Sequence, residues 1–309
     1  MSEREAVLRL LARERLRVDA CEAGRTSFLS HLGACARLVP GPWIAHRELL
    51  LALALANLTP DQRRSLGRAV MVDHGREFGV GRLVLRTCAS GLPFGGSSLL
   101  LRPRAGGPTC LYTWALGAGA APVACEWLLL RAQPEWSLGE AAPLRAEMVA
   151  SLAEVGRELV IFVPTAVAAR QVADACLGGM AFTAHPRFLP HLEGAAGSAK
   201  IALWPLDAVG APSLARREVG AAIVIDAPEA EAEAVHRWAA GLGEVPVAEA
   251  TCPGRQGREA LLEFWRACGS PKILLRGDPG WAGPGLAWLA ECGAAVEPQS
   301  DATQLGLFA

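Results

Sequence analysis

From residue 159 onward, short apolar runs alternate with segments of helical spacing, and this rhythm constrains the architecture more than any other feature of the chain. Strands are predicted at 159–163, 180–183, 200–203, 221–225, 245–248, 272–275 and 294–296, with helices at 166–176, 187–193, 230–240, 258–268 and 285–292. Several strands, such as Leu159 to Val163 and Ala221 to Ile225, are continuous apolar runs, as expected of parallel strands buried on both faces. A parallel strand needs a crossover to its neighbour, and a helix is the usual one. The pattern therefore predicts an α/β fold, with an open, mostly parallel sheet covered by helices on both faces.

The preceding residues read differently. Val7, Leu8, Leu10, Leu11 and Leu16 follow a helical spacing up to about residue 17. A second helix is predicted at 43–57, after the Pro40-Gly41-Pro42 break. A third starts at Thr59-Pro60-Asp61-Gln62, where Thr59 can cap and Pro60 suits the first helical position. Residues 1–78 are thus expected to form a mostly helical region. Short strands follow at 82–86, 98–101 and 109–114, separated by glycine- and proline-rich turns, and then helices at 123–131 and 142–155. The expected division is a helical region 1–78, an α/β domain 79–296 and a flexible tail 297–309.

Bulk properties exclude some functions. The net charge of −1 gives no whole-protein attraction to nucleic acid, so any DNA contact must come from a local patch. The candidates are Arg63, Arg64 and Arg68, at helical spacing after the Thr59 cap, and Arg216 with Arg217 between two strands. The nine cysteines are scattered without a CxxC pair, and the histidines show no HxxxH or HExxH spacing, so no metal site is predicted. The longest apolar run, Leu49 to Ala56, is too short to span a bilayer, and the N-terminus lacks a signal core. The expectation is a cytoplasmic protein with no membrane contact.

The order of elements around 145–252 resembles the second RecA-like lobe of superfamily 2 helicases. The residues that carry the likeness are Leu159 to Thr165 with the helix after them, Lys200 to Pro205, Asp207 to Gly210, Ala222 to Glu229, and Val235-His236-Arg237. The resemblance implies a RecA-like sheet. It also implies that Arg237 opens the arginine-finger helix, whose two later arginines are here Ala240 and Gly243. The family's DNA-contacting threonine falls at Trp204 or Pro205. No Walker A sequence is present, because neither lysine follows a glycine-rich loop. Phosphoryl transfer depends on electrostatic positioning, so these losses predict a helicase-like scaffold without the motor, with no cofactor and no catalytic residue. A degenerate nucleotide site remains as a candidate at Gly95, Gly96 and Ser97 in the glycine-rich stretch 91–98, together with Asp226 and Arg237.

The last residues, Gln304-Leu305-Gly306-Leu307-Phe308, resemble the pentapeptide by which bacterial proteins dock onto the DNA polymerase sliding clamp. Leu305, Leu307 and Phe308 supply apolar anchors, Gln304 supplies directional hydrogen bonds, and 297–302 is a polar linker. Leu-x-Leu spacing also permits a terminal strand. The sequence expectation is a non-catalytic accessory protein of DNA repair or translesion replication, with the clamp as partner and a DNA polymerase, another repair protein or DNA as further partners. Its rival is a nucleotide-dependent, ATPase-type α/β enzyme with an atypical phosphate site.

Overall fold

The computed structural model describes residues 16–19, 25–32, 39–56, 58–113, 115–131, 142–154, 157–227, 229–243, 245–254, 257–276 and 279–298. The first stretch carries strands β1 (Leu16–Val18), β2 (Thr26–Leu29) and β3 (Trp43–His46), helices α1 (Arg47–Ala54) and α2 (Pro60–Leu66), and strand β4 (Val70–Val72). Five strands follow: β5 (Glu77–Val80), β6 (Leu83–Ala89), β7 (Ser97–Pro103), β8 (Cys110–Thr113) and β9 (Trp127–Arg131). Next come α3 (Ala146–Ala153), β10 (Glu158–Val163), α4 (Ala166–Cys176), β11 (Phe182–Ala184), β12 (Ile201–Pro205), β13 (Val219–Ile225), α5 (Glu229–Gly241) and β14 (Val247–Ala250). The last described elements are α6 (Arg258–Ala267), β15 (Lys272–Arg276), α7 (Pro279–Glu291) and β16 (Val296–Pro298).

These elements form two units, and the chain of the first is interrupted by the second. Described residues 16–131 and 257–298 make one unit, and 142–254 make the other. The predicted boundary at 78 is therefore not where the structure divides. The reason is a shared core: Phe28, Ile44 and Val72 pack with Leu85, Leu99 and Tyr112, binding residues on both sides of 78 into one apolar layer. The segment 145–252 set apart by sequence falls within the second unit.

The first unit is layered. Its smaller sheet is wholly parallel, in the order β1-β2-β3-β4. Its larger sheet runs β16-β15-β9-β8-β7-β6-β5; β5 to β8 form an antiparallel meander, and β8, β9, β15 and β16 are parallel. The two sheets face one another across the shared apolar layer. α1 covers the outer face of the small sheet through Leu49, Leu50 and Leu53, beside Leu58 and Leu66. α6 and α7 cover the outer face of the large sheet through Leu261, Phe264, Trp265 and Leu289.

The mostly helical N-terminal region is corrected by this arrangement. Among the described residues of 16–78, four strands and the start of a fifth accompany two helices. The run at 43–57 hides a break: Trp43 to His46 is a strand, and α1 begins at Arg47, where His46 Nδ1 accepts the Glu48 N–H at 3.3 Å. Apolar residues that serve one strand and one helix in succession cannot be parted by periodicity alone. α2 starts as expected, with a Thr59–Gln62 capping box and Pro60 in the first turn. The helix predicted at 123–131 is instead β9, whose Leu128, Leu129 and Leu130 are buried in alternation on both faces of the large sheet. The first predicted helix lies, up to residue 15, outside the described residues.

The second unit matches its sequence rhythm closely. All five strands are parallel, in the order β11-β12-β10-β13-β14. α3 and α4 pack one face through Val149, Ala168, Ala169 and Val172. α5 and the segment after β12 pack the other through Val235, Leu206 and Leu214. Central β10 is buried on both faces, with Leu159, Ile161 and Val163 in one layer and Val160 and Phe162 in the other. The predicted helix at 187–193 shrinks to a single 3-10 turn at Leu189–His191, with Pro190 in its first turn and the backbone already extended at Leu192. Phe162 is fully buried against the edge of Trp238. Phe162→Ala is expected to destabilise the second unit by about 3–5 kcal/mol, read as a lower urea midpoint for its unfolding transition.

Candidate functional site

Every parallel strand of the small sheet ends on polar side chains at its C-terminal edge, where open α/β sheets bind ligands. Asp19 follows β1, Ser30 and His31 follow β2, His46 closes β3, and Asp73 and His74 follow β4. The large sheet meets this edge with Ser97 at the start of β7, Tyr112 on β8 and Arg131 at the end of β9. These side chains lie on the same face as Leu99, Cys110 and Leu129 of the shared core, by strand alternation.

Asp19 is the hub. Its Oδ1 accepts the Ser30 N–H at 2.6 Å, and its Oδ2 accepts the Ser30 hydroxyl at 2.5 Å and the Tyr112 hydroxyl at 2.7 Å. Ser30 Oγ also lies 2.8 Å from His31 Nδ1. The Asp19 backbone is left-handed (φ 52), an uncommon state that Asp tolerates better than most residues, and its N–H bonds to Phe28 O. Burial raises the carboxyl to about 6 against the bonds from Ser30 and Tyr112 and the charge of Arg131, which favour the anion.

A second group adjoins through the backbone, since Ser97 N–H donates to Ser30 O at 2.7 Å. His46 and His74 stack with ring centroids 4.0 Å apart and planes 18° from parallel. His74 Nε2 lies 3.0 Å from Ser97 Oγ, whose hydroxyl donates to Gly95 O at 2.9 Å. With its proton so engaged, Ser97 accepts from His74, which places the His74 proton on Nε2. His46, accepting at Nδ1 from Glu48, likewise carries its proton on Nε2. Burial, and then the neighbouring His46, lowers the pKa of His74, against the pull of Glu48 and Asp73. Gly95 (φ 66) closes over this pair: a Cβ there would come 2.1 Å from His46 Nδ1, so only glycine fits. The Asp19 carboxyl, bonded to the Ser30 hydroxyl and through it adjoining His31, titrates near pH 6 and can relay a proton.

Of the residues expected at a degenerate nucleotide site, Gly95 lies against His46 and Ser97 beside His74, neither of which the sequence expectation included. His46 and His74 share no spacing motif, and they meet because they sit at successive strand ends. The available signal was a polar residue directly after each short apolar run: Val18-Asp19, Leu29-Ser30-His31, Ala45-His46 and Val72-Asp73-His74.

The remaining expected site residues lie elsewhere. Asp226 and Arg237 belong to the second unit, so the nucleotide candidates are divided between the units. Asp226, buried with φ 47, accepts the Cys252 N–H at 3.0 Å and ties the ends of β13 and β14. Arg237 is exposed and pairs with Glu233 at 3.3 Å. Arg63, Arg64 and Arg68 are exposed on and just after α2; Arg63 donates to Leu58 O, and Arg64 pairs with Asp61. Arg216 is exposed in the second unit, while Arg217 pairs with Glu158 and lies over the Trp204 ring. Trp204 itself is buried and donates to Ala208 O, a packing position. Gln304, Leu305, Leu307 and Phe308 lie outside the described residues. Among the described residues, no three His, Cys, Asp or Glu side chains are grouped to hold a metal, and no helix is long and apolar enough to cross a membrane.

No family model and no curated protein matches the chain. A solved structure of a protein of unknown function from Enterococcus faecalis V583 is similar in fold. It is 14% identical, with a TM-score of 0.53 over 83% of this chain and 77% of that one. The likeness supports a mixed α/β fold with parallel sheets.

Asp19 has a sign-definite pH signature. Its folded pKa of about 6 lies above the ordinary value of 3.8, so the folded state retains the proton between those values. Its contribution is fully present below pH 4 and declines as the pH rises through 6, by at most about 3 kcal/mol. Urea midpoints measured from pH 4 to 7 should therefore fall more steeply in the wild type than in Asp19→Asn.

Proposed function

We propose that the chain is a non-catalytic accessory protein of bacterial DNA repair or translesion replication, acting in the cytoplasm. It docks on the polymerase sliding clamp through Gln304, Leu305, Leu307 and Phe308, and presents a RecA-like scaffold to DNA, to a DNA polymerase or to another repair protein. The pentapeptide at the end of a polar linker carries the reading. Features of the second unit support the loss of a motor. Where the helicase lobe carries its finger arginines, this chain has Ala240 and Gly243.

The test is binding of the full chain to an immobilised, purified bacterial clamp. Replacing Leu307 and Phe308 by alanine should weaken binding at least tenfold, since two apolar anchors supply most of such a contact. Unchanged affinity would remove the partner assignment.

The hydrogen bond between His74 and Ser97 favours a second reading, a nucleotide-dependent enzyme whose phosphate site is formed by Gly95, Gly96 and Ser97 beside His46. On that reading ATP or ADP binds saturably in calorimetry, and binding is lost in Ser97→Ala and His74→Ala variants that keep the wild-type circular dichroism spectrum. Absence of a binding isotherm with the wild type would dismiss it.

A further inference from the structure

On the outer face of the large sheet, two cysteines from distant parts of the chain meet within the first unit. Cys125 lies just before β9, and Cys268 caps the C-terminus of α6. The Cys125 N–H donates to the Cys268 carbonyl at 3.2 Å, and both side chains belong to the same apolar cluster. A backbone bond of this kind keeps the Cα atoms within the roughly 4.4–6.8 Å that a disulfide spans. Cys125 is half-buried and Cys268 fully buried, so the pair has one face open to small solutes. Both are free thiols.

We propose that Cys125 and Cys268 are a redox modification site, closing to a reversible disulfide on exposure to a peroxide. The bond would join the two chain segments of the first unit, 16–131 and 257–298, which the second unit separates in sequence. One of the two sulfurs attacks one peroxide oxygen and breaks the O–O bond, giving a sulfenic acid and hydroxide, which takes up a proton to become water. The other sulfur then attacks that sulfur, the S–S bond forms, and the sulfenic oxygen leaves as a second water. Two thiols and one hydrogen peroxide thus yield one disulfide and two waters.

The experiment treats the full chain, under native conditions, with stoichiometric hydrogen peroxide and maps peptides by mass spectrometry without reduction. The expected product is one cross-linked peptide pair containing Cys125 and Cys268, reversed by dithiothreitol. It should be accompanied by a rise in Tm of about 5 °C. Cys125→Ala should lose both the cross-link and the Tm shift, whereas Cys88→Ala and Cys110→Ala should retain them. Recovery of Cys125 and Cys268 as free, alkylatable thiols from the oxidised wild type overturns the proposal, as does a cross-link that pairs either with another cysteine. Because this mapping needs no variant, a misfolded Cys268 variant would not obscure the result.

Discussion

The apolar layer trapped between the two sheets of the first unit is the constraint on which the rest depends. Leu16, Val18, Phe28, Ile44 and Val72 from the small sheet meet Leu83, Leu85, Leu99, Leu101 and Leu129 from the large one. Burial of this kind contributes roughly 25 cal/mol per Å² of apolar surface, and it fixes which face of each strand looks inward. Where the layer stops, at the C-terminal ends of β1 to β4, the inward positions become polar. Side chains from both sheets must then satisfy one another in the same gap, and Asp19, Ser30, Tyr112, Ser97 and His74 do so. The site is thus a product of sheet packing and does not follow from any local motif.

Such a gap is costly unless its groups are paired. The Asp19 carboxylate accepts three hydrogen bonds from Ser30 and Tyr112, and still its pKa is raised. Desolvation there outweighs both the bonds and the charge of Arg131. Polar clusters held against such a penalty are more common at functional sites than in structural cores. Gly95, which lies too close to His46 to accept any side chain, adds a second local constraint at the same place.

The second unit was legible in the sequence because its strands are long continuous runs and each helix repeats one apolar face. β10, β12 and β13 fall within two residues of their predicted bounds, and α4 runs over the predicted 166–176. The first unit was not legible, for physical reasons that differ from place to place. β1, β2 and β4 are three or four residues long, too short for any periodicity to emerge. β3 runs straight into α1, so one apolar stretch served two structures. β9 carries three consecutive leucines that suit a helix equally well until β8 and β15 claim opposite sides of it. The histidines were legible singly but not as a pair, since residues 46 and 74 come together only through the order of strands in the sheet. The clamp-binding resemblance is a reading of sequence and stands on the tail residues alone.

The interrupted chain of the first unit has a consequence for synthesis. β9 takes its partner β15 from residues that leave the ribosome only after 132–256 have been made. At ordinary elongation rates that interval is on the order of ten seconds. Throughout it, β9 is an unpaired sheet edge with three leucines, the kind of surface that invites mispairing with another chain. The second unit draws its five strands from one continuous segment and can be complete before the first unit closes. The nascent protein therefore spends its most vulnerable period with the inserted unit finished and the interrupted one open, the period in which a chaperone would be most useful.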